Sequence, residues 1–353
     1  TVKKIEDTLL FHGGTCKTLV IETDGEQTPW EGITTPELTD FDSFINAVRE
    51  SGVVGLGGAT FPTSVKLKVD ADKVEYICIN GAECEPYITA DTRTMLDDGE
   101  MLSEGIDLLR RFYPKAKILV GIEDNKPKSI KHLRELNAGK ENVEVCALPA
   151  LYPQGGEKVL IHNLTGRVVP AGKLPMDVNC IVINTTTLKT IAEYVKTGKP
   201  LTEKYVTVDG SAIKHPMNVI APIGASLKDV VEFTGGFAEE PRKIIMGGPM
   251  MGMAVPSLEE SVTKGTGSIL CLAEKDAVLP EPTECIKCGR CISHCPLHLM
   301  PADIETAFRL DKPEDLKTLR VDLCMECGCC AFICPARRPL VMVNKLAKQV
   351  LNK

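Results

Sequence analysis

A chain of 353 residues is about twice the ~150 residues of a typical domain, and 43% hydrophobic with 25% charged residues is the composition of a folded protein, not a disordered or collagen-like one. The 41 Lys and Arg against 48 Asp and Glu leave a net charge of −7 with no basic block, which excludes nucleic acid and anionic lipid as general electrostatic partners. The longest nearly apolar run, Ile244 to Val255, contains three Gly and one Pro and falls well short of the ~20 residues that cross a bilayer. The start at Thr1, with no charged-then-apolar leader after it, reads as a mid-domain start and predicts a fragment of a longer protein.

Residues 1–38 form a partial, β-rich N-terminal segment, where short apolar runs separated by Gly13-Gly14 and Asp24-Gly25 suggest hairpins. From 39 to 200 the period changes. Phe41, Phe44, Ile45 and Val48 recur at helical spacing, with Thr39 or Asp40 as cap and Gly52 as the stop. Strands Val74–Asn80, Lys117–Ile122, Val143–Leu148 and Asn179–Asn184 then alternate with helices near Met95–Phe112, Lys128–Leu136, Gly156–Asn163 and Leu188–Lys196. Such alternation predicts an α/β domain with a mostly parallel sheet covered on both faces, whose ligands bind beyond the carboxyl ends of the strands. Residues 201–275 read as a small sheet-plus-helix module: strands Tyr205–Asp209, Met217–Ala221 and Lys243–Met246, helix Ser226–Phe233, and a Gly247–Gly252 run expected to be a turn between strands. Residues 276–353 are cysteine-rich, with helices expected at Ala302–Leu310 and Val341–Leu351.

Six of the fifteen Cys lie in residues 1–284 and nine in the remainder. An odd count with no sign of export argues against a disulfide framework and for metal-bound thiolates in a reducing compartment. Cys285, Cys288, Cys291 and Cys295 are spaced x2, x2, x3 and followed by Pro296. Cys324, Cys327, Cys330 and Cys334 repeat the pattern 39 residues later, before Pro335. Three thiolates two residues apart wrap three corners of a [4Fe–4S] cube, and the fourth, before the Pro, is directed at the other cluster. The spacing therefore predicts two clusters with crossed ligation: Cys285, Cys288, Cys291 with Cys334, and Cys324, Cys327, Cys330 with Cys295. Zinc sites use two ligand pairs across a longer gap and do not explain the duplicated Cys-Pro ending. Cys329 reads as a bystander, and none of the six His shows ligand spacing, although His294 stands beside Cys295.

Two clusters with full thiolate sets carry single electrons, so a hydride donor feeding them needs a flavin to split the pair. The Gly52–Lys66 loop offers unobstructed backbone N–H groups and one Lys, a cradle for phosphate or ribityl oxygens. It fits neither G-x-G-x-x-G nor the P-loop pattern, and a structural turn accounts for the same residues. Here the sequence carries a resemblance. The glycine loop, Asn80-Gly81-Ala82-Glu83-Cys84-Glu85-Pro86, Gly155-Gly156-Glu157 and Asn184-Thr185-Thr186-Thr187 resemble the FMN- and NADH-binding segments of the NADH-oxidising flavoprotein subunit of respiratory complex I. They are more similar to the C subunit of Rnf-type ferredoxin:NAD+ oxidoreductases, which shares the duplicated cluster motif.

The resemblance implies a Rossmann-like FMN/NADH-binding domain, a β-grasp (SLBB-like) module and a helical domain with two [4Fe–4S] clusters. It places Gly55, Gly57, Gly58 and Lys66 on the FMN phosphate and ribityl chain. Asn80, Glu83, Gly155, Gly156, Asn184 and Thr185 would contact the flavin, and Phe61, Glu85 and Glu157 the nicotinamide nucleotide. Leu56, Thr60, Ala82 and Gly156 depart from the complex I pattern of Arg, Gly, Asp and Glu. The implied function is the electron-input subunit of a membrane-bound ferredoxin:NAD+ oxidoreductase, peripheral on the cytoplasmic face. Its partners would be the other subunits of that complex and, indirectly, a ferredoxin-type carrier. A soluble NADH-dependent donor to another reductase, of the proline reductase-associated type, is the alternative. Hydride transfer requires no acid–base residue, so no catalytic side chain is assigned.

Overall fold

Two antiparallel strands, β1 (Val2–Leu9) and β2 (Thr15–Ile21), open the chain. The expected Gly13-Gly14 turn lies outside the described residues, which are 1–9, 15–26 and 28–351 of a computed structural model. Asp40 then caps helix α1 (Phe41–Glu50), accepting from Ser43 N at 2.8 Å while Ser43 Oγ accepts from Asp40 N at 2.9 Å. This reciprocal box fixes the start of the helix and turns Phe44, Ile45 and Val48 into the core. After the glycine loop comes α2 (Thr63–Leu67).

The main sheet contains β3 (Tyr76–Gly81), β4 (Lys117–Glu123), β5 (Val143–Leu148) and β6 (Cys180–Asn184), in spatial order β5-β4-β3-β6 and parallel throughout. Counted within this sheet the order is 3-2-1-4, so the winding reverses between β3 and β6, the switch point beyond whose carboxyl ends such sheets bind ligands. Ile77, Ile79, Ile118, Val120 and Ile122 are wholly buried, as strands covered on both faces must be. The covering helices are α3 (Ala90–Asp97), α4 (Gly99–Phe112), α5 (Pro127–Leu136), α6 (Glu157–Thr165) and α7 (Thr185–Thr197).

Two expectations are corrected here. The single helix expected at Met95–Phe112 is two, because Asp98 leaves the helical region (φ −115°, ψ 23°) and α3 starts earlier, at Ala90. Helix α7 begins at Thr185 rather than Leu188, because the Asn184 side chain caps it, so Thr185–Thr187 form its first turn.

The next unit is a five-stranded sheet of order β10-β9-β11-β7-β8. Its strands are β7 (Glu203–Asp209), β8 (Met217–Pro222), β9 (Lys243–Met246), β10 (Met253–Val255) and β11 (Ser268–Leu272), with helix α8 (Leu227–Phe233) contributing to the same core. Sequence reasoning missed β10 and β11. The latter is buried along its whole length between β7 and β9, so it lacks the alternation that marks a half-exposed strand. Gly247–Gly252 is the turn joining antiparallel β9 and β10, as expected.

The last unit is helical: α9 (Glu274–Ala277), α10 (Arg290–Ser293), α11 (Pro301–Arg309), α12 (Pro313–Thr318), α13 (Cys329–Phe332) and α14 (Leu340–Leu351). Its apolar core is small, built on Leu299, Ile304, Leu316, Val321 and Ala347. A buried ion pair ties it together: Arg338 Nε and Nη2 donate to Glu305 Oε2 and Oε1 at 2.6 and 2.7 Å.

Candidate cofactor site

Asn80 and Asn184 are register partners at the carboxyl ends of β3 and β6, where the sheet winding reverses. Asn80 Oδ1 accepts from Ala82 N at 3.1 Å, turning the chain sharply, and its Nδ2 donates to the Gly155 carbonyl at 2.9 Å. Asn184 Oδ1 accepts from Thr187 N, and its Nδ2 donates to Asp91 Oδ2 at 2.6 Å. The glycine loop is closed by bonds from Gly55 N to Phe61 O (2.9 Å) and from Thr60 N to Gly55 O (3.1 Å). It rests on the first turn of α7, Leu56 N donating to Thr187 Oγ1 at 2.9 Å. Gly57 faces Asn184, where a Cβ would lie 3.4 Å from Nδ2, and Gly58 has φ +112°. Gly155 is obligatory, because a Cβ there would meet the Ala82 carbonyl oxygen at 2.4 Å. The glycine loop, Asn80, Gly155 and Asn184, far apart in sequence, are thus brought together at the carboxyl ends of β3 and β6, and Phe61, on the same loop, is exposed.

The charged residues are more constrained. Lys66 Nζ lies 2.8 Å from Glu157 Oε1, so a phosphate at Lys66 meets a cation already shared with a carboxylate at the start of α6. Glu83 faces α3, accepting from Asp91 N (2.7 Å), Thr92 N (3.2 Å) and Thr92 Oγ1 (2.6 Å), with Lys126 Nζ at 3.6 Å. That commits its carboxylate to the helix cap, and burial, with Asp91 alongside, pushes its pKa up to about 8. Glu85 reaches the neighbouring sheet, accepting from Met250 N (3.0 Å) and Met251 N (2.8 Å). A carboxylate has about four acceptor positions, so Glu85 keeps capacity for a ribose hydroxyl.

Sequence reasoning missed Asp91. This half-buried carboxylate accepts from Asn184 Nδ2 and Thr186 Oγ1 (both 2.6 Å), and desolvation holds it above its ordinary pKa. Opposite it Lys204, also buried, is pulled down to about 8 by desolvation. No sequence spacing marks Asp91, since its partners lie more than ninety residues away.

No ligand is needed to see what the crevice lacks. Thr185 Oγ1 is buried with no hydrogen-bond partner, as is Thr63 Oγ1 at the start of α2. An orphaned buried hydroxyl costs ~1–3 kcal/mol, so a polar molecule that fills the crevice and reaches Thr185 relieves a real deficit. Together with the glycine cradle, this fits a flavin mononucleotide. The departures from the complex I pattern also find causes. Leu56 is buried in the core cluster under the main sheet, and a side chain at Gly156 would have to displace Met325 of the cysteine-rich unit, whose Cε lies 2.5 Å from the position of a Cβ there.

The cysteines fall into two groups, and all fifteen are free thiols. Cys295, Cys324, Cys327, Cys329 and Cys330 line one pocket with Leu297, Leu299, Met325 and Asn344. Backbone and amide N–H groups already point at two of these sulfurs: Leu299 N at 3.3 Å from Cys295 Sγ, and Asn344 Nδ2 at 3.5 Å from Cys324 Sγ. Such N–H···S contacts stabilise thiolates bound to iron. Cys334 is not in that pocket but beside Cys291, whose thiol is raised by burial and further by Cys334. Cys285 and Cys288 are exposed.

Among the described residues no three Cys, His, Asp or Glu converge as a single ion requires. Burial drives the Cys330 thiol up to about 12, so it donates as a thiolate only to a compensating cation. Cys327 is held down, to about 7, by the hydrogen bond from Cys329. His294 Nδ1 is 3.0 Å from the Arg290 carbonyl oxygen within its own helix.

The two sites adjoin. Tyr152 Oη donates to the Cys327 carbonyl at 2.6 Å, Met325 packs on Gly156, and the Gly328 Cα faces the Met250 carbonyl. Flavin-loop, β9–β10 turn and cysteine loop therefore meet at one junction.

Fold and site together define an oxidoreductase subunit in which a doubly wound α/β domain adjoins a thiol-lined pocket. The chain matches the Nuo51 FMN-binding domain over residues 48–193 and the SLBB domain over residues 205–254. It is 44% identical over 309 residues to the C subunit of the proton-translocating ferredoxin:NAD(+) oxidoreductase complex of Clostridium ljungdahlii, covering 86% of this chain and 67% of that protein. To the Na(+)-translocating counterpart of Acetobacterium woodii it is 43% identical over 296 residues, covering 83% and 67%. The chain belongs to this family, the C subunits of Rnf-type ferredoxin:NAD+ oxidoreductase complexes.

Solved structures of an NAD+-reducing [NiFe]-hydrogenase share the fold. In the H2-reduced state the TM-score is 0.60 at 18% identity, covering 88% of this chain and 61% of that one. In the air-oxidised state it is 0.59 at 20% identity, covering 83% and 57%. The chain thus spans about two thirds of its curated relatives and about three fifths of the hydrogenase chains. Among the described residues no helix is long and apolar enough to cross a membrane.

Proposed function

We propose that this chain is the electron-input subunit of a membrane-bound ferredoxin:NAD+ oxidoreductase, docked peripherally on the cytoplasmic side against the complex's other subunits. It would exchange hydride with NAD(H) at an FMN and pass single electrons through two [4Fe–4S] clusters to or from those partners, with a ferredoxin-type carrier further along. The chemistry supplied by bound FMN is the conversion between one hydride and two single electrons. The protein's part is to bind and orient. The glycine loop and Lys66 would receive the phosphate and ribityl chain, Asn80, Gly155, Asn184 and Thr185 the ring system, and Phe61, Glu85 and Glu157 the nicotinamide nucleotide. Glu83, Gly156 and Asp91 shape the loops that carry these contacts.

Cys295, Cys324, Cys327 and Cys330 would hold the cluster nearer the flavin, since their loop is the one that touches the flavin loops. Cys285, Cys288, Cys291 and Cys334 would hold the outer cluster, consistent with the exposure of Cys285 and Cys288. The observation carrying this reading is the hydrogen bond from Tyr152, beside the crevice, to the cysteine loop at Cys327. The test is anaerobic reconstitution with iron, sulfide and FMN, followed by NADH titration with optical and EPR readout. Stoichiometric flavin release on denaturation, flavin bleaching by NADH and EPR signals from two reduced clusters are expected. No flavin bound, or an NADH-insensitive spectrum, would refute the reading.

A further inference from the structure

We propose that Tyr152 is a positioning residue for electron transfer, its hydroxyl holding the Cys324–Cys330 loop against the flavin loops and so fixing the gap that a single electron crosses. The inference rests on the cofactor reading above and adds a residue to it.

Three contacts join the flavin domain and its β-grasp neighbour to the cysteine loop, and they differ in kind. Met325 against Gly156 is an apolar contact of a flexible side chain, which adapts to displacement. Gly328 against the Met250 carbonyl is a close backbone approach without a hydrogen bond. Tyr152 Oη to Cys327 O, at 2.6 Å, is the directional one. It also acts on the peptide of a cluster ligand rather than on a bystander. Tyr152 is half-buried, and its phenol is the donor of this bond. Its own loop is anchored at the other end. Gly155, three residues on, donates to Cys84 Sγ at 3.4 Å and accepts from Asn80, which sits where the sheet winding reverses. Two hydrogen bonds joined by the short covalent segment from Tyr152 to Gly155 therefore link the carboxyl end of β3 to the ligand peptide: Asn80 to Gly155, and Tyr152 to Cys327. With both groups bound, each crossing would take one electron from the flavin and give it to the cluster, and no bond is made or broken at Tyr152.

The test is Tyr152→Phe in the anaerobically reconstituted chain, which keeps the ring and removes one hydrogen bond. FMN and iron contents and the rate of flavin bleaching by NADH should match wild type. Electron arrival at the clusters, followed by stopped-flow, should slow by up to about fivefold, since losing one hydrogen bond of ordinary net worth shifts the loop's docked-to-loosened ratio by that factor. One reduced-cluster EPR signal should shift or broaden, namely the one that survives in Cys334→Ser. Tyr152→Leu, lacking the ring as well, should slow the step further. Unchanged cluster reduction and an unchanged EPR signal in Tyr152→Phe would overturn the proposal while leaving the cofactor reading intact. A wild type that binds no flavin would overturn both.

Discussion

Breaking the buried ion pair of the cysteine-rich unit should cost this small domain its outer cluster. Arg338 is 8% exposed and Glu305 3%, and the guanidinium makes a bidentate pair with the carboxylate while its Nη1 donates to the Thr283 carbonyl at 2.9 Å. Thr283 N in turn donates to Ala336 O, so one side chain pins the segment entering Cys285 to the segment leaving Cys334. Arg338→Met removes the cation and strands a buried carboxylate, a change that costs ~3–5 kcal/mol, or a hundredfold or more in the folded-to-unfolded ratio. Arg309, 3.2 Å from Glu305 but 58% exposed, offsets little of this.

With an apolar core of half a dozen residues, the unit has little reserve. Iron analysis after reconstitution should show about half the wild-type iron, EPR should show the Cys285-containing cluster missing, and thermal unfolding followed by circular dichroism should gain an early phase. The double variant Arg338→Met with Glu305→Leu should recover most of the loss, since two apolar groups leave no unpaired charge. A single variant with full iron content and an unchanged melting profile would refute the reasoning.

Cys334→Ser should abolish the cluster that also uses Cys285, Cys288 and Cys291; loss of the Cys324-containing cluster alone, by EPR, would rule out crossed ligation. Lys66→Ala should lower FMN occupancy before iron content, measured on the denatured supernatant, and unchanged occupancy would remove Lys66 from the phosphate cradle. Glu83 has its folded pKa pushed by burial from 4.5 to about 8, so between those values the folded state holds a proton the unfolded chain has released. Wild type should therefore lose stability as pH rises through that window, and Glu83→Gln should lack the slope; parallel curves in urea unfolding would contradict it.

The duplicated cysteine pattern was visible in the sequence because it is local, with spacings of a few residues repeated 39 residues on; which of those thiols share a pocket was not. The parallel sheet was legible too, since strands buried on both faces read as short apolar runs between amphipathic helices. The same rule hid β11, an apolar stretch with no alternation to announce it. Periodicity overran the break at Asp98, because a single departure from helical backbone leaves the apolar pattern of α3 and α4 in near register.

What the tertiary structure alone decided is which residues share a site. Asp91 reaches Asn184 and Thr186 across more than ninety residues, Glu85 meets the backbone of Met250 and Met251, and Tyr152 meets Cys327. Each contact depends on strand order and on how separate units pack, and neither leaves a trace in local spacing. The spacing of the thiols is written in the chain because it is set within a few residues; the junction between the loops is not, because it exists only where distant segments are brought together.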